Sequence, residues 1–396
     1  MTGRIAVVGA GPAGLTAAIA ARRLGLEVVV YEQAPALGRV GGGIAIQSNG
    51  QRVLAALDLL SGFEARMEAA RTFVIEGPGG RRYSRTDYGA LRVPFPRFAV
   101  VLRADLQQHL VHAAERAGVR VELERRCTAV VGDRAATGLQ FADGRTAECG
   151  VVLGADGVRS AVRTSGGLAG VPRPVGEAAL RGVVARPATP GLAREIWLDD
   201  GRLFGIAPLP AARTYFYCSA PLAGWFDIVQ NVPAWIESWR DGHSEAASIL
   251  AAVDDWTRVS YDELREVHAP RWWRNGCFLL GDAAHAMTPN LGQGANSAMV
   301  DALVLVRLLR TTLDAGGSLE DVGRHYEVIR RSFVRRIQVA SHVLCRVATW
   351  RSPAARLLRR GMLVFGEVTE RFGQMGLRLG AGVNPVEEPY LRPLGS

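Results

Sequence analysis

Three glycines near the N-terminus have the spacing of a phosphate-binding turn. Gly9, Gly11 and Gly14 follow a short β-branched run, and Glu32 lies 18 residues beyond the last of them. In such a turn the first glycine permits the tight bend, the second lets the backbone approach a pyrophosphate, and the third allows close helix–strand contact. The N–H groups at the helix start attract phosphates, and the Glu32 carboxylate can accept hydrogen bonds from an unphosphorylated ribose. The pattern predicts a dinucleotide site without deciding between NAD and FAD.

Two later segments, 154–163 and 281–296, each place Gly and Asp residues directly after a predicted buried strand. Open α/β sheets bind ligands at the carboxyl ends of their strands, which is where Asp282 is expected. Gly294 then opens a predicted long helix over 295–310. Its free N–H groups would face a group that develops negative charge, as a reduced flavin does.

The elements that would position these residues alternate between strands and helices. The N-terminal pattern predicts a strand over 4–8, a helix over 12–24 that ends at Gly25, and a strand over 27–32. Farther along, the patterns predict helices over 51–60 and 106–117 and strands over 119–123, 129–131, 150–153 and 276–280. Short alternating runs between about 170 and 270, including 203–207 and 214–219, predict a β-rich insertion, and the chain beyond about 320 is predicted to be helical. The sequence therefore predicts an α/β protein.

Composition excludes several classes of chemistry. The chain has 396 residues, 48% of them hydrophobic, and a net charge of +9 that comes entirely from arginine because it contains no lysine. Schiff-base catalysis and P-loop phosphate binding both require a lysine, so both are excluded. The arginines are dispersed without a recognised nucleic-acid motif, so we expect no nucleic acid as partner. The charge instead favours attraction of an anionic nucleotide or an acidic substrate.

The cysteines and histidines predict neither a disulfide framework nor a metal site. The five cysteines are scattered and lack C-x-x-C spacing, and no histidines have metal-ligand spacing. Unpaired cysteines are typical of a reducing cytoplasm, which is the expected location. No apolar run is long enough to span a membrane. The amphipathic tail over 353–379 is compatible with a membrane surface, but we expect a helix docked across the protein, in a monomer or homodimer.

Taken together, the glycine turn at 9–14 and the segments 154–163 and 281–296 resemble, in order and separation, those of the FAD-dependent aromatic hydroxylases with the p-hydroxybenzoate hydroxylase fold. The resemblance spans about residues 1–350. It implies an FAD-binding Rossmann-like domain of the glutathione-reductase type, an inserted β-sheet substrate domain and a C-terminal helical tail. The implied FAD-binding domain is 1–70 plus 99–168 plus 272–330, the substrate domain is 71–98 plus 169–271, and the helical region is 331–396.

The resemblance also implies roles for individual residues. Those assigned to the cofactor are Gly9, Gly11, Ala13, Gly14, Glu32, Gln33, Gly43, Ile44, Arg103, Asp156, Arg163, Asp282, Gly292, Gly294, Ala295 and Asn296. Asp156 and Arg163 belong to a segment that serves both FAD and the incoming nicotinamide nucleotide, and Pro289 would lie near the ring where oxygen reacts. Asp301 stands where the family more often has Glu, a difference expected to matter little.

Tyr215 and Tyr217 alternate on one face of a predicted strand in the insertion, where this fold has its substrate sheet. They are candidate substrate contacts, with ordinary sheet aromatics as the alternative. Leu203 and Gly205 would share that face across a hairpin and bring no charge, which favours largely apolar recognition of an aromatic small molecule. No general base can be named from the sequence.

The implied activity is monooxygenation with bound FAD, NAD(P)H as transient reductant and O2 as co-substrate, through a flavin C4a-hydroperoxide. Epoxidation on the same fold and a reductase or desaturase of the geranylgeranyl reductase type remain open. So does a flavin-binding interaction protein, which would show no substrate-stimulated NAD(P)H oxidation. Flavin halogenases are excluded because the chain lacks their lysine and their Trp-x-Trp-x-Ile-Pro segment.

Overall fold

The computed structural model describes residues 4–37, 42–132, 137–222, 231–368 and 376–394. Its strands are β1 (Ile5–Val8), β2 (Val28–Tyr31), β3 (Gly43–Ile46), β4 (Glu68–Ala70), β5 (Thr72–Glu76), β6 (Arg82–Asp87), β7 (Phe98–Leu102), β8 (Arg120–Glu122), β9 (Cys127–Gly132), β10 (Thr137–Phe141), β11 (Thr146–Cys149), β12 (Val151–Gly154), β13 (Arg173–Val184), β14 (Leu192–Trp197), β15 (Leu203–Leu209), β16 (Arg213–Pro221), β17 (Ser260–Glu266), β18 (Trp273–Arg274) and β19 (Cys277–Leu279). Its helices are α1 (Pro12–Arg23), α2 (Ser48–Ala56), α3 (Arg103–Arg116), α4 (Ala161–Ser165), α5 (Val232–Arg240), α6 (Ser244–Ala251), α7 (Asp282–His285), α8 (Gly294–Asp314), α9 (Leu319–Ala348) and α10 (Pro353–Val368).

A six-stranded sheet carries the N-terminal glycine turn. Its order is β18-β19-β12-β1-β2-β8, and every neighbouring pair is parallel except β18 with β19. The β1, β2 and β12 strands are short apolar runs buried along their whole length, as parallel strands covered on both faces must be. The strands predicted at 4–8, 27–32, 119–123, 150–153 and 276–280 are confirmed to within two residues at either end.

Helix α1 follows the turn and packs against α8 and α3. Its Ala-rich face is fully buried, and it ends before Gly25, whose φ of +75° is the left-handed conformation predicted for the C-terminal glycine. The predicted helix over 51–60 is displaced, because α2 runs from Ser48 to Ala56. Leu57, Leu59 and Leu60 are buried in a turn beyond it, so the apolar pattern continues after the helix has ended.

The second large sheet has the order β17-β13-β16-β15-β14-β5-β6. It draws β5 and β6 from one part of the chain and the other five strands from the predicted insertion, where 203–207 and 214–219 belong to β15 and β16. Two helices that the sequence pattern did not predict, α5 and α6, cover one face of this sheet. The opposite face, which carries Tyr215 and Tyr217, packs against β3 and β7 and lines a cavity. We retain the predicted domain boundaries as a proposal.

The C-terminal region consists of long helices that pack on both parts of the molecule. Helix α9 contacts α8, and α10 lies against β6. The guanidinium group of Arg359 is buried and binds the Ala348 carbonyl at 2.9 Å and Asp199 at 3.1 Å, which ties α10 to the turn after β14. Within the residues described above, no helix combines the length and apolarity that a membrane span requires.

Candidate functional site

A cavity of about 1280 Å³ is lined by the second large sheet, by β3 and β7, by the loops that follow β1, β12 and β19, and by the starts of α1, α3 and α8. Pockets for drug-sized ligands are usually ~300–1,000 Å³, so this cavity has room for more than one small molecule. It contacts both the glycine turn at 9–14 and the face of the second sheet that carries the two tyrosines. The predicted nucleotide and substrate regions therefore share one space.

The glycine turn is built as its spacing predicts. Gly9 has φ +101°, and a Cβ there would lie 2.5 Å from the Ala155 carbonyl oxygen. A Cβ on Gly14 would lie 1.9 Å from the Gly9 carbonyl oxygen, so only glycine allows α1 to sit this close to β1. Gly11 differs, because a Cβ there meets nothing within 4 Å and Gly11 lines the cavity. Gly9 and Gly14 thus shape the turn, and Gly11 keeps its concave side open at the positive end of α1.

Glu32 is held beside this turn at the end of β2. Its two carboxylate oxygens accept hydrogen bonds from the backbone N–H groups of Ala10 at 2.7 Å and Ala34 at 2.9 Å. Each oxygen keeps a further lone pair, which is available to a ribose hydroxyl. Gln33 is exposed next to it and lies outside the cavity wall, as does Glu32 itself.

The middle of the cavity gathers most of the other predicted cofactor residues. They are Ala13, Gly43, Ile44, Arg103, Asp282, Gly292, Gly294 and Ala295, and Pro289 lines the same stretch. Helix α8 begins at Gly294 and runs for 21 residues, so its free N–H groups and dipole are directed at this part of the cavity.

Asn296 has a different position from the one expected. Its side chain is fully buried behind the cavity wall, where it accepts from Gln47 N at 3.0 Å and donates to the carbonyls of Ala45 at 2.9 Å and Gly292 at 2.7 Å. It therefore ties β3 and the start of α2 to the first turn of α8.

Asp156 and Arg163 also lie outside the cavity wall. The Asp156 carboxylate accepts from the Val162 N–H at 3.1 Å, and burial raises its pKa. The buried Arg163 guanidinium donates to three backbone carbonyls, those of Val158, Gly170 and Ala283, at 2.8 to 2.9 Å. Both side chains hold the 154–163 loop in place, and the cavity meets that loop at Ala155, Gly157, Val158 and the exposed Arg159.

A buried ionic cluster lies behind the 281–296 segment. Asp301 accepts from Gly281 N at 3.1 Å, from Arg330 Nε at 2.7 Å and from His285 Nε2 at 2.5 Å, and Arg330 also pairs with Glu387 near the C-terminus. Burial alone would raise the pKa of Asp301, but Arg330 and His285 together lower it. The cluster fixes the backbone at Gly281, next to Asp282 in the cavity wall.

The far end of the cavity is an aromatic chamber. Tyr215 and Tyr217 both line it, with ring centroids 5.5 Å apart, and the Tyr215 ring occupies the space that a Cβ on Gly43 would need, at 2.4 Å. Further aromatic side chains that line the cavity include Phe73, Tyr88, Phe98 and Trp197. Burial raises the pKa of Tyr88 to about 12 and that of Tyr217 well above its ordinary value, so both phenols stay protonated at neutral pH.

One polar member of this chamber, Glu195, was missed by the sequence analysis. It lies on β14, is 5% exposed, and accepts from the Tyr217 hydroxyl at 2.6 Å and from Trp197 Nε1 at 2.8 Å. The available signal was its position in an alternating strand, at the same parity as Ala193 and Trp197. Its partner strands could not be read from the sequence.

These features fit a flavin dinucleotide. An open glycine cradle at a helix start suits a pyrophosphate, the fixed Glu32 carboxylate suits a ribose, and the start of α8 suits the end of a ring that gains negative charge. The aromatic chamber beyond leaves space for a second, apolar molecule.

Comparisons with known proteins agree with this fit. Residues 3–341 match the family described as FAD binding domain. The 3-amino-4-hydroxybenzoate 2-monooxygenase PtmB3 of Streptomyces platensis is 35% identical over 354 residues, covering 84% of this chain and 85% of that protein. The 6-hydroxynicotinate 3-monooxygenase of Bordetella bronchiseptica is 31% identical over 375 residues, covering 86% and 90%.

Solved structures show the same fold. The tetrameric form of 2-methyl-3-hydroxypyridine-5-carboxylic acid oxygenase has a TM-score of 0.78 at 27% identity, covering 92% of this chain and 96% of that one. Klebsiella pneumoniae HpxO complexed with FAD and uric acid has a TM-score of 0.84 at 24% identity, covering 96% and 97%. The chain belongs to the family of FAD-dependent aromatic hydroxylases and monooxygenases with the p-hydroxybenzoate hydroxylase fold.

Proposed function

We propose that this FAD-dependent monooxygenase uses NADH or NADPH and O2 to hydroxylate a small, electron-rich aromatic molecule. The observation that carries the proposal is the continuity of the cavity, in which the glycine cradle and the start of α8 share one space with the aromatic chamber. A cofactor ring held at α8 and a substrate held against Tyr215 and Tyr217 would then lie side by side, without solvent between them. The named relatives act on hydroxylated benzoate and nicotinate rings, which supports a substrate of similar size.

FAD, when bound, supplies the exchange of electrons with the nicotinamide and the activation of oxygen. The chain itself supplies position, charge and dryness. The free N–H groups at Gly294 and Ala295 stabilise negative charge on whatever contacts the start of α8. Met287, Pro289 and the ring of Tyr215 line the wall with apolar surface, which keeps water away from the reacting atoms.

A nicotinamide nucleotide is the proposed reductant because of the charges around the cavity. Arg85 and Arg159 are exposed and belong to its wall, and neither has a salt-bridge partner among the described residues. Together with the net charge of +9, they would attract the negatively charged diphosphate group of NADH or NADPH. The five cysteines are all unpaired, which supports the proposal that the enzyme works in the reducing cytoplasm.

The test is oxidation of NADH and NADPH by the purified yellow protein, with oxygen and hydrogen peroxide followed together. The panel contains 3-amino-4-hydroxybenzoate, 6-hydroxynicotinate and simple phenols and anilines. The proposal expects at least one compound to accelerate NAD(P)H oxidation and to consume oxygen without an equal amount of peroxide. NAD(P)H consumption that is equally fast without oxygen, with the organic compound reduced, would contradict it and favour a reductase.

A further inference from the structure

The aromatic chamber contains a carboxylate, that of Glu195, which has no role in the chemistry proposed above. Glu195 lines the cavity with only 5% of its surface exposed. Removing a carboxylate from water is costly unless other groups replace the lost hydration, so a wall built only for apolar contact would not retain one. A leucine or glutamine would fill the same space at lower cost.

The fold brings Glu195 and Tyr217 together across an intervening strand. The cross-strand neighbours Glu195, Gly205 and Tyr217 form one row over β14, β15 and β16. Gly205 has no side chain, and a Cβ there would lie 2.0 Å from Tyr217 Cζ. The Tyr217 ring therefore lies over Gly205, and its hydroxyl reaches the Glu195 carboxylate at 2.6 Å.

The partners that the structure gives Glu195 are both neutral. One carboxylate oxygen accepts from Tyr217 and the other from Trp197. Among the described residues, none of the ion pairs involves Glu195, and Arg181, which faces the same cavity, is paired with Asp262 at 2.6 Å. A carboxylate can accept about four hydrogen bonds, so roughly half of this capacity remains unused. The unused lone pairs belong to a group in the cavity wall, where the substrate is the available donor.

We propose that Glu195 determines substrate specificity by accepting a hydrogen bond from a hydroxyl or N–H group on the aromatic ring. This inference rests on the proposed function, because it takes the aromatic chamber as the substrate site. A ring that donates to a carboxylate gains electron density at its ortho and para carbons, which is the property that oxygen insertion needs. Burial raises the pKa of Glu195 against the opposing hydrogen bonds from Tyr217 and Trp197. A donor on the ring favours the ionised form of Glu195, whereas a substrate carboxylate at this position disfavours it and would have to face the arginines elsewhere in the cavity.

The experiment measures binding of three matched probes to the FAD-loaded protein without NAD(P)H, so that no turnover occurs. The probes are 1-naphthol, its methyl ether 1-methoxynaphthalene, and 1-naphthoate, and binding is followed by calorimetry and by the change in flavin absorption. Hydrogen bonds to charged groups are strong enough that wild type should bind 1-naphthol at least about tenfold more tightly than either other probe.

Three variants identify the responsible group, and each is checked for FAD content and circular dichroism. Glu195→Gln should reduce the preference for 1-naphthol over its methyl ether to less than about threefold, with binding of the ether unchanged. Tyr217→Phe should keep the preference, because the carboxylate remains. Glu263→Gln is the matched control: Glu263 also lines the cavity but is paired with Arg265 at 2.6 Å, so the preference should persist.

Several results would overturn the inference. The first is a wild-type protein that binds none of the probes, or that binds naphthol and ether equally. The second is a preference for 1-naphthol that survives in E195Q. The third is a preference that is lost only in Y217F, which would make Tyr217 the recognition group. The two hypotheses fail separately. Oxygen-coupled turnover with an intact preference in E195Q would sink the role of Glu195 alone, and a Glu195-dependent preference without oxygen-coupled turnover would sink the proposed function alone.

Discussion

Replacing Arg330 with leucine should expose how strongly the buried cluster behind the cofactor site depends on one cation. Arg330 is fully buried on α9, where it binds Asp301 at 2.7 Å, Glu387 and the Ser297 carbonyl at 3.1 Å. Burial alone would lower the pKa of Arg330, but the two carboxylates raise it, so the group stays charged. Arg330→Leu removes the arginine from both carboxylates, each 0% exposed, and leaves Asp301 with His285 as its basic partner.

Removing one partner of a buried ion pair costs about 3–5 kcal/mol. Because a folded protein is stable by only about 5–15 kcal/mol, R330L should lower the urea midpoint of the holoprotein substantially. It should also weaken FAD retention, since Asp301 anchors the Gly281 N–H beside Asp282. Equilibrium urea unfolding and FAD release on dilution measure the two effects.

The matched control is Arg335→Leu, on the same helix but exposed, which should change the free energy of unfolding by less than about 0.5 kcal/mol. Adding Glu387→Gln to R330L should restore part of the loss, because one uncompensated carboxylate disappears. A loss in R330L below about 1 kcal/mol, or no difference from R335L, would refute the importance assigned to this cluster.

The remaining predictions concern three other sites. Gly11→Val should leave the apoprotein stable but reduce FAD affinity at least tenfold, because the valine side chain enters the open cradle. Gly14→Ala should instead destabilise the apoprotein by about 1–3 kcal/mol through overpacking. Flavin titration measures the first effect and urea unfolding the second. Asn296→Ala should lower the free energy of unfolding by about 2–4 kcal/mol, because it leaves the buried Gln47 N–H and two carbonyls without their hydrogen bonds to Asn296. An unchanged free energy of unfolding would contradict this prediction. Burial raises the pKa of Glu177 from 4.5 to about 7. Between these two pKa values the folded chain holds a proton that the unfolded chain has lost, so the free energy of unfolding falls as the pH rises. Glu177→Gln should therefore be more stabilising relative to wild type at about pH 8 than at about pH 5. Equal differences at both pH values would contradict this prediction.

Local patterns sufficed to predict the nucleotide turn. The central strands β1, β2 and β12 are short apolar runs bounded by glycine or charge. Gly14 is confined by Gly9 and Val7 of the same strand–turn–helix unit, whereas Gly9 is confined by Ala155 and Asp156 farther along the chain. The 281–296 segment could likewise be placed, since its chemistry lies at the end of a strand and the start of a helix.

Contacts between distant parts of the chain could not be predicted in this way. Glu195 and Tyr217 meet only because β14, β15 and β16 pair in one register. Nothing in the sequence around Gly205 indicates that it makes room for the Tyr217 ring. The partners of Asp301 could not be read from its position in the sequence either, because they lie 16 to 29 residues away. Arg163 is of a residue type that commonly binds phosphate, but its guanidinium group donates hydrogen bonds to three backbone carbonyls instead.

The most direct test of the monooxygenase assignment is the origin of the oxygen atom in the product. The purified holoenzyme is incubated with NAD(P)H and ¹⁸O2, together with the compound that best stimulates NAD(P)H oxidation, and the product is analysed by mass spectrometry. Incorporation of one ¹⁸O atom per product molecule is expected. A product without added oxygen, or one that takes its oxygen from water, would contradict monooxygenation.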